Sequence, residues 1–155
     1  MSDIHSTFRS ALDRMKEFPD FKFTSACAIY YEWIEKTDPE MFEEIKERVK
    51  EGSWSIVGGM LIQPDCNIPC GESFARHFLL GQRYFKEKFG VTAKVGWCVD
   101  SFGHSIALPQ ILKKSGMDYI ALGHVHKASE VIKLGESYCA YCGCPEGQGF
   151  DELGE

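Results

Sequence analysis

Short apolar runs alternate along this chain with amphipathic stretches several turns long, and that alternation restricts the fold more than any other feature of the sequence. Two parallel strands cannot be joined by a tight hairpin, so a repeated strand–helix–strand order implies parallel pairing through right-handed crossovers. Residues 6–17 place Phe8, Ala11, Leu12 and Met15 at helical spacing among polar neighbours. Residues 21–31, apolar and aromatic after a turn signal, are expected to form a strand. The next helix is defined by its ends. Asp38 suits the N-cap, Pro39 the first helical position, and Phe42, Ile45 and Val49 keep one face apolar until Gly52 stops it. A strand over 54–57, a helix from about Ser73 to Gly90, a strand over 94–99, a helix over 108–114 and a strand over 118–122 complete the series.

The fold class is therefore α/β with parallel strands, and the pattern alone leaves a doubly wound sheet and a barrel both open. Past Lys127 the pattern changes. Residues 131–134 and 138–141 read as a short C-terminal β-hairpin around Gly135-Glu136, followed by a Gly-rich acidic end.

Charge and composition exclude some classes of function. Seventeen Lys and Arg against 23 Asp and Glu give a net charge of −6 without a clustered basic face, so nucleic acid is not an expected partner. No apolar run approaches the ~20 residues of a membrane span, and the first residues lack the basic start and apolar stretch of a secretory leader. A cytoplasmic location is expected. The seven cysteines are odd in number and scattered, which suits reduced thiols. Cys139-Ala-Tyr-Cys142-Gly-Cys144 has a zinc-like first spacing but no second pair to complete four ligands.

In α/β folds chemistry collects at the carboxyl ends of the strands, where loops converge on a rigid scaffold. Two polar clusters fall there. One, after the strand at Trp54, contains Asp65 and Asn67; the other places Asp100 as the first charged group after the strand at 94–99, followed by Ser-Phe-Gly-His. On residue chemistry alone Asp100 serves equally well as a functional carboxylate or as a helix cap or Asx-turn.

Many blocks of this sequence, in order and spacing, resemble the catalytic domain of family 38 glycoside hydrolases, the α-mannosidases. They include Phe42-Glu-Glu-Ile-Lys-Glu-Arg-Val-Lys-Glu-Gly-Ser-Trp54, Gly58-Gly-Met, Pro64-Asp-Cys-Asn, Gly71-Glu-Ser, Gly81-Gln-Arg-Tyr-Phe, Asp100-Ser-Phe-Gly-His and Leu108-Pro-Gln-Ile-Leu. The resemblance implies a fragment of a seven-stranded α/β barrel, covering residues 1–118, that retains configuration when it hydrolyses terminal α-mannosides or mannose-containing oligosaccharides. It implies that Asp100 is both nucleophile and zinc ligand, with zinc templating the sugar hydroxyls. Phe102 matches an aromatic near the sugar, with core packing as its other reading. Asp65 and Asn67 are candidates for sugar contact or for loop-stabilising Asx turns.

The family's His-x-Asp ligand pair does not occur here, and the family's acid/base carboxylate belongs to a later part of the domain. One ligand and one carboxylate do not complete the site, so the isolated chain is expected to be inactive. Residues 119–155 are similar instead to the C-terminal part of calcineurin-like metallophosphoesterases of the DNA-repair-exonuclease type, through Gly123-His-Val-His126 and the segments beginning at Tyr141 and Gly149. That resemblance implies manganese or iron at His124 and His126 and a phosphoesterase as the alternative activity. Asp3-Ile-His5 has the letters of that family's first metal motif but no strand before it. A third alternative is a non-catalytic truncated chain whose uncovered sheet edges favour homo-oligomers or aggregation.

Overall fold

Capping chemistry sets the most sharply bounded element. The computed structural model describes residues 2–123 and 127–141. In it the side chain of Asp38 accepts from the Met41 N–H at 3.0 Å, Pro39 opens the helix, and Gly52 ends it in the left-handed region at φ 77°. That helix is α3 in the order α1 (Ser2–Glu17), β1 (Phe23–Ser25), α2 (Ala28–Thr37), α3 (Pro39–Glu51), β2 (Trp54–Ile56), α4 (Gly71–Phe89), β3 (Val95–Cys98), α5 (Leu108–Lys114), β4 (Tyr119–Leu122), β5 (Ile132–Leu134) and β6 (Ser137–Tyr141).

The strand expected over residues 21–31 is corrected. It ends at Ser25, Cys27 turns the chain at φ 64°, and α2 begins at Ala28. The aromatic content of this stretch serves a helix face, since Ala28, Tyr31 and Ile34 are its buried positions. Two donors of the first helical turn find acceptors outside the helix, Ala28 N–H on the Met60 carbonyl (3.1 Å) and Ile29 N–H on the Leu61 carbonyl (3.0 Å). The long loop after β2 thus stands in for a side-chain cap.

Parallel pairing is as the alternation requires. Phe23 lies opposite Trp54 between β1 and β2, and Val95 opposite Tyr119 between β3 and β4. The two groups meet where the Gly58 N–H donates to the Val95 carbonyl at 2.8 Å. The expected hairpin is β5 and β6, antiparallel around Gly135 at φ 66°. Its second strand also runs parallel to β4, so the hairpin extends the sheet in the order β3-β4-β6-β5. The buried Ser137 hydroxyl, donating to the Met117 carbonyl at 2.9 Å, fastens that junction.

Two apolar clusters hold the elements. Under α1, α2 and α3, Phe8, Leu12, Tyr31, Ile45 and Phe85 surround Trp54, whose indole N–H donates to the Tyr31 hydroxyl at 2.9 Å. Against the four-stranded sheet, which is separate from the β1-β2 pair, Phe74, Phe78, Leu108, Leu112, Met117 and Ile120 pack with Cys66 and Cys98. Each large apolar side chain so buried contributes about 1.5–3 kcal/mol relative to exposure. Among the described residues no helix is long and apolar enough to cross a membrane.

Candidate active site

β3 ends at Cys98, and the chain enters a turn at Val99 and Asp100. The loop after β2 comes to the same place. Ser105 N–H donates to the Cys66 carbonyl (3.2 Å), and the Asn67 amide donates to the Phe102 carbonyl (3.4 Å). The two polar clusters, 35 residues apart in sequence at Asn67 and Phe102, therefore form one surface at a strand end. On the far side of β3, Gly123 N–H donates to the Cys98 carbonyl at 2.9 Å. A Cβ at Gly123 would stand 2.1 Å from the Val99 carbonyl oxygen, so only glycine allows this approach of β4 to the turn that carries Asp100.

Each candidate residue has a definite place. Asp100 is exposed in the turn. It does not cap α5, which starts at Leu108 behind Ala107. Phe102 is 74% exposed, outside both apolar clusters. Asp65 is exposed, and its Oδ1 accepts from the backbone N–H of Asn67 (2.8 Å) and of Ile68 (3.0 Å), an Asx turn that shapes the loop. His124 and His126 lie outside the described residues, as do Cys142 and Cys144. Asp3 and His5 belong to α1, where His5 Nε2 lies 2.9 Å from an Asp38 carboxylate oxygen, at the start of α3.

Sequence reasoning missed a third set. Cys66, Cys98 and His104 each offer a ligand atom within 4.8 Å of the others. The Cys66 sulfur also lies 3.1 Å from the buried Ser101 hydroxyl. Within the thiol pair the Cys98 hydrogen bond draws Cys66 below the ordinary thiol range, while the same bond and burial push Cys98 up. Burial lowers His104, which favours neutral imidazole. The available signal was positional: both cysteines sit beside the strand-end clusters already singled out, at 65–67 and 98–104.

This is the one convergent group of three or more His, Cys, Asp or Glu side chains among the described residues, and it does not include Asp100. The described residues therefore do not assemble a zinc ligand set around the Asp100 carboxylate. Clefts of 560 Å³ and 540 Å³ lie between helices, the first beside Glu35, Tyr84 and Lys88 and the second beside Phe78, Gln82 and Ile111.

Residues 1–131 match the model of the glycosyl hydrolases family 38 N-terminal domain, a span that includes the Gly123-His-Val-His126 segment. Over 112 residues, 72% of this chain and 10% of the relative, the sequence is 39% identical to Alpha-mannosidase G of Dictyostelium discoideum. Over 116 residues, 74% of this chain and 11% of the relative, it is 38% identical to an Alpha-mannosidase of Saccharomyces cerevisiae. The crystal structure of an α-mannosidase from Enterococcus faecalis V583 superposes with a TM-score of 0.69 at 25% identity, covering 77% of this chain and 14% of that one. The chain spans about a tenth of the length of the curated relatives it matches.

Proposed function

The chain belongs to family 38 of the glycoside hydrolases, through that family's N-terminal domain, and from this membership we propose that it supplies part of the catalytic surface of a retaining α-mannosidase, with Asp100 as nucleophile. The observation that carries the reading is the meeting of the loops after β2 and β3, which sets Asp100, Phe102 and Asp65 on one strand-end surface. Asp100 is the first carboxylate past the end of β3, while Asp65 shapes its own loop through an Asx turn.

In this reading the Asp100 carboxylate attacks the anomeric carbon of a terminal α-mannoside, the bond from that carbon to the aglycone oxygen breaks, and a glycosyl ester forms. Water then opens the ester, restoring the carboxylate and releasing mannose with retained configuration. The leaving oxygen needs a proton from a second carboxylic acid. Family membership supports a donor from a further part of the complete catalytic surface, and Asp65, the other acid of the two loops, holds its own backbone through Oδ1. Phe102, with its exposed ring beside the Asp100 turn, offers an apolar face to a sugar ring.

Zinc enters the reading through the family alone, and the isolated chain is expected not to turn over α-mannosides. Family membership also supports a sheet that is part of a seven-stranded barrel. Ile68 and Ile106, 83% and 98% exposed beside the same surface, favour further barrel elements or a second copy of the chain as their cover. Free thiols at Cys27, Cys66, Cys70, Cys98 and Cys139 support a reducing, cytoplasmic setting.

The test is a graft. Residues 1–131 replace the matching segment of Alpha-mannosidase G, and release of an aryl leaving group from an aryl α-mannoside is measured. Activity retained in the graft, lost on Asp100→Asn, and accompanied by a fluoromannoside-trapped adduct on Asp100, is the expected result. An active graft that tolerates Asp100→Asn would overturn the assignment.

A further inference from the structure

The geometry points to a zinc centre formed by Cys66, Cys98 and His104, where the loop after β2 meets the end of β3, independent of the mannosidase reading and of any ion at Asp100. One ligand atom from each residue lies within 4.8 Å of the other two. Around a tetrahedral zinc with bonds of about 2.0–2.3 Å the ligand atoms stand roughly 3.3–3.8 Å apart, so closure by at most about 1.5 Å completes the set. Both cysteines are 1% exposed, in the apolar cluster beneath the sheet. The Nε2 of His104 is buried and has no hydrogen-bond partner among the described residues. A buried ring nitrogen without a partner is a polar group whose desolvation nothing yet offsets.

Charge selects the ion. Two thiolates, a neutral imidazole and a divalent cation sum to zero, which a buried site tolerates; a monovalent thiophilic ion would leave a net negative charge away from water. The Ser101 hydroxyl, 3.1 Å from the Cys66 sulfur, or a water fills the fourth position. The ligands come from the β2 loop, the last residue of β3 and the loop before α5, so the ion clamps together the segments that carry Asp65 and Asp100.

The full chain is purified with reductant, stripped with a chelator and titrated with zinc against a chromophoric competitor; cobalt is then substituted to read thiolate-to-metal charge transfer. One zinc per chain, cobalt absorption from two thiolates, and affinity reduced more than about 100-fold in Cys66→Ser, Cys98→Ser and His104→Ala are expected, a loss beyond the 10–100-fold typical of outer-shell changes. Asp100→Asn keeps the affinity, which separates this centre from one at Asp100. Zinc protection of Cys66 and Cys98 from alkylation in the unsubstituted chain reads the same site without any variant. Uptake that survives in Cys66→Ser and Cys98→Ser places the ion elsewhere, for example at Cys139-Ala-Tyr-Cys142-Gly-Cys144, and overturns the proposal. So does a Cys66–Cys98 disulfide that persists in the reduced preparation, or loss of binding in Asp100→Asn.

Discussion

The side-chain amide of Asn67 donates to the carbonyl of Phe102, and the backbone at Gly103 leaves room for that amide and no more. Gly103 stands at φ 127°, and a Cβ there would meet the Asn67 amide nitrogen at 2.5 Å. Gly103→Ala is therefore expected to destabilise the chain by about 1–3 kcal/mol, from backbone strain plus the clash. Urea unfolding of the two single variants and the double variant apportions this. Asn67→Ala relieves the clash but not the strain, so the double variant is more stable than the sum of the two single losses implies.

Tyr31 gives a second test, inside the first apolar cluster. Its hydroxyl accepts from the Trp54 indole N–H and donates to the Ser25 carbonyl at 3.2 Å, with the ring fully buried. Burial pushes its ionisation far above the ordinary tyrosine range, so the hydroxyl stays protonated throughout. Tyr31→Phe leaves a buried donor and a carbonyl without their partner and is expected to cost about 1–3 kcal/mol. In a Trp54→Phe background the penalty falls, because one of the two stranded groups is already gone. Chemical denaturation of the four-member cycle measures the difference.

How far the fold was legible follows from where each signal resides. Asp38, Pro39 and Gly52 specify α3 through contacts within a few residues, so its bounds are legible in the sequence. α5 was likewise bounded by Leu108 and the Ser115-Gly116 stop. The start of α2 is not legible locally, because its first-turn donors are satisfied by Met60 and Leu61, more than thirty positions on, and Cys27 enters at positive φ without a side-chain cap. Nothing local announced a helix there. In the candidate site, the strand-end placement of Asp100 and Asp65 was visible from the alternation, whereas the convergence of Cys66, Cys98 and His104 depends on how two loops fold over each other.

Asp38 also fixes a pH dependence. The Met41 N–H, and after it the hydrogen bond from His5, hold its carboxyl below the usual aspartate range in the folded chain. A depressed folded value means that the stabilisation is fully present above the unfolded value of about 3.9 and is lost as pH falls through the folded one. Asp38→Ala is expected to cost about 0.5–2 kcal/mol at pH 7, as for other N-cap removals. The gap between variant and unsubstituted chain should narrow steadily below about pH 4. Thermal unfolding across that range decides; a gap that stays constant would mean the cap acts without its charge.

Gly123 links the sheet to the proposed chemistry. Its N–H donates to the Cys98 carbonyl, and its α-carbon lies against Val99, the residue before Asp100. A methyl group there would sit 2.1 Å from the Val99 oxygen, and backbone cannot swing aside as a flexible side chain can. Gly123→Ala must therefore part β4 from the end of β3 or rotate the Val99 peptide, and either moves the Asp100 carboxylate. A displacement of about 1 Å at a reacting group costs on the order of 100-fold in rate. In the active graft, Gly123→Ala is expected to lower kcat by that order. Gly90→Ala, whose added Cβ meets nothing within 4 Å although its φ of 73° carries strain, should lower stability while leaving kcat near its starting value. Equal kcat losses in the two variants would mean that global destabilisation, not the position of the Asp100 turn, limits the reaction.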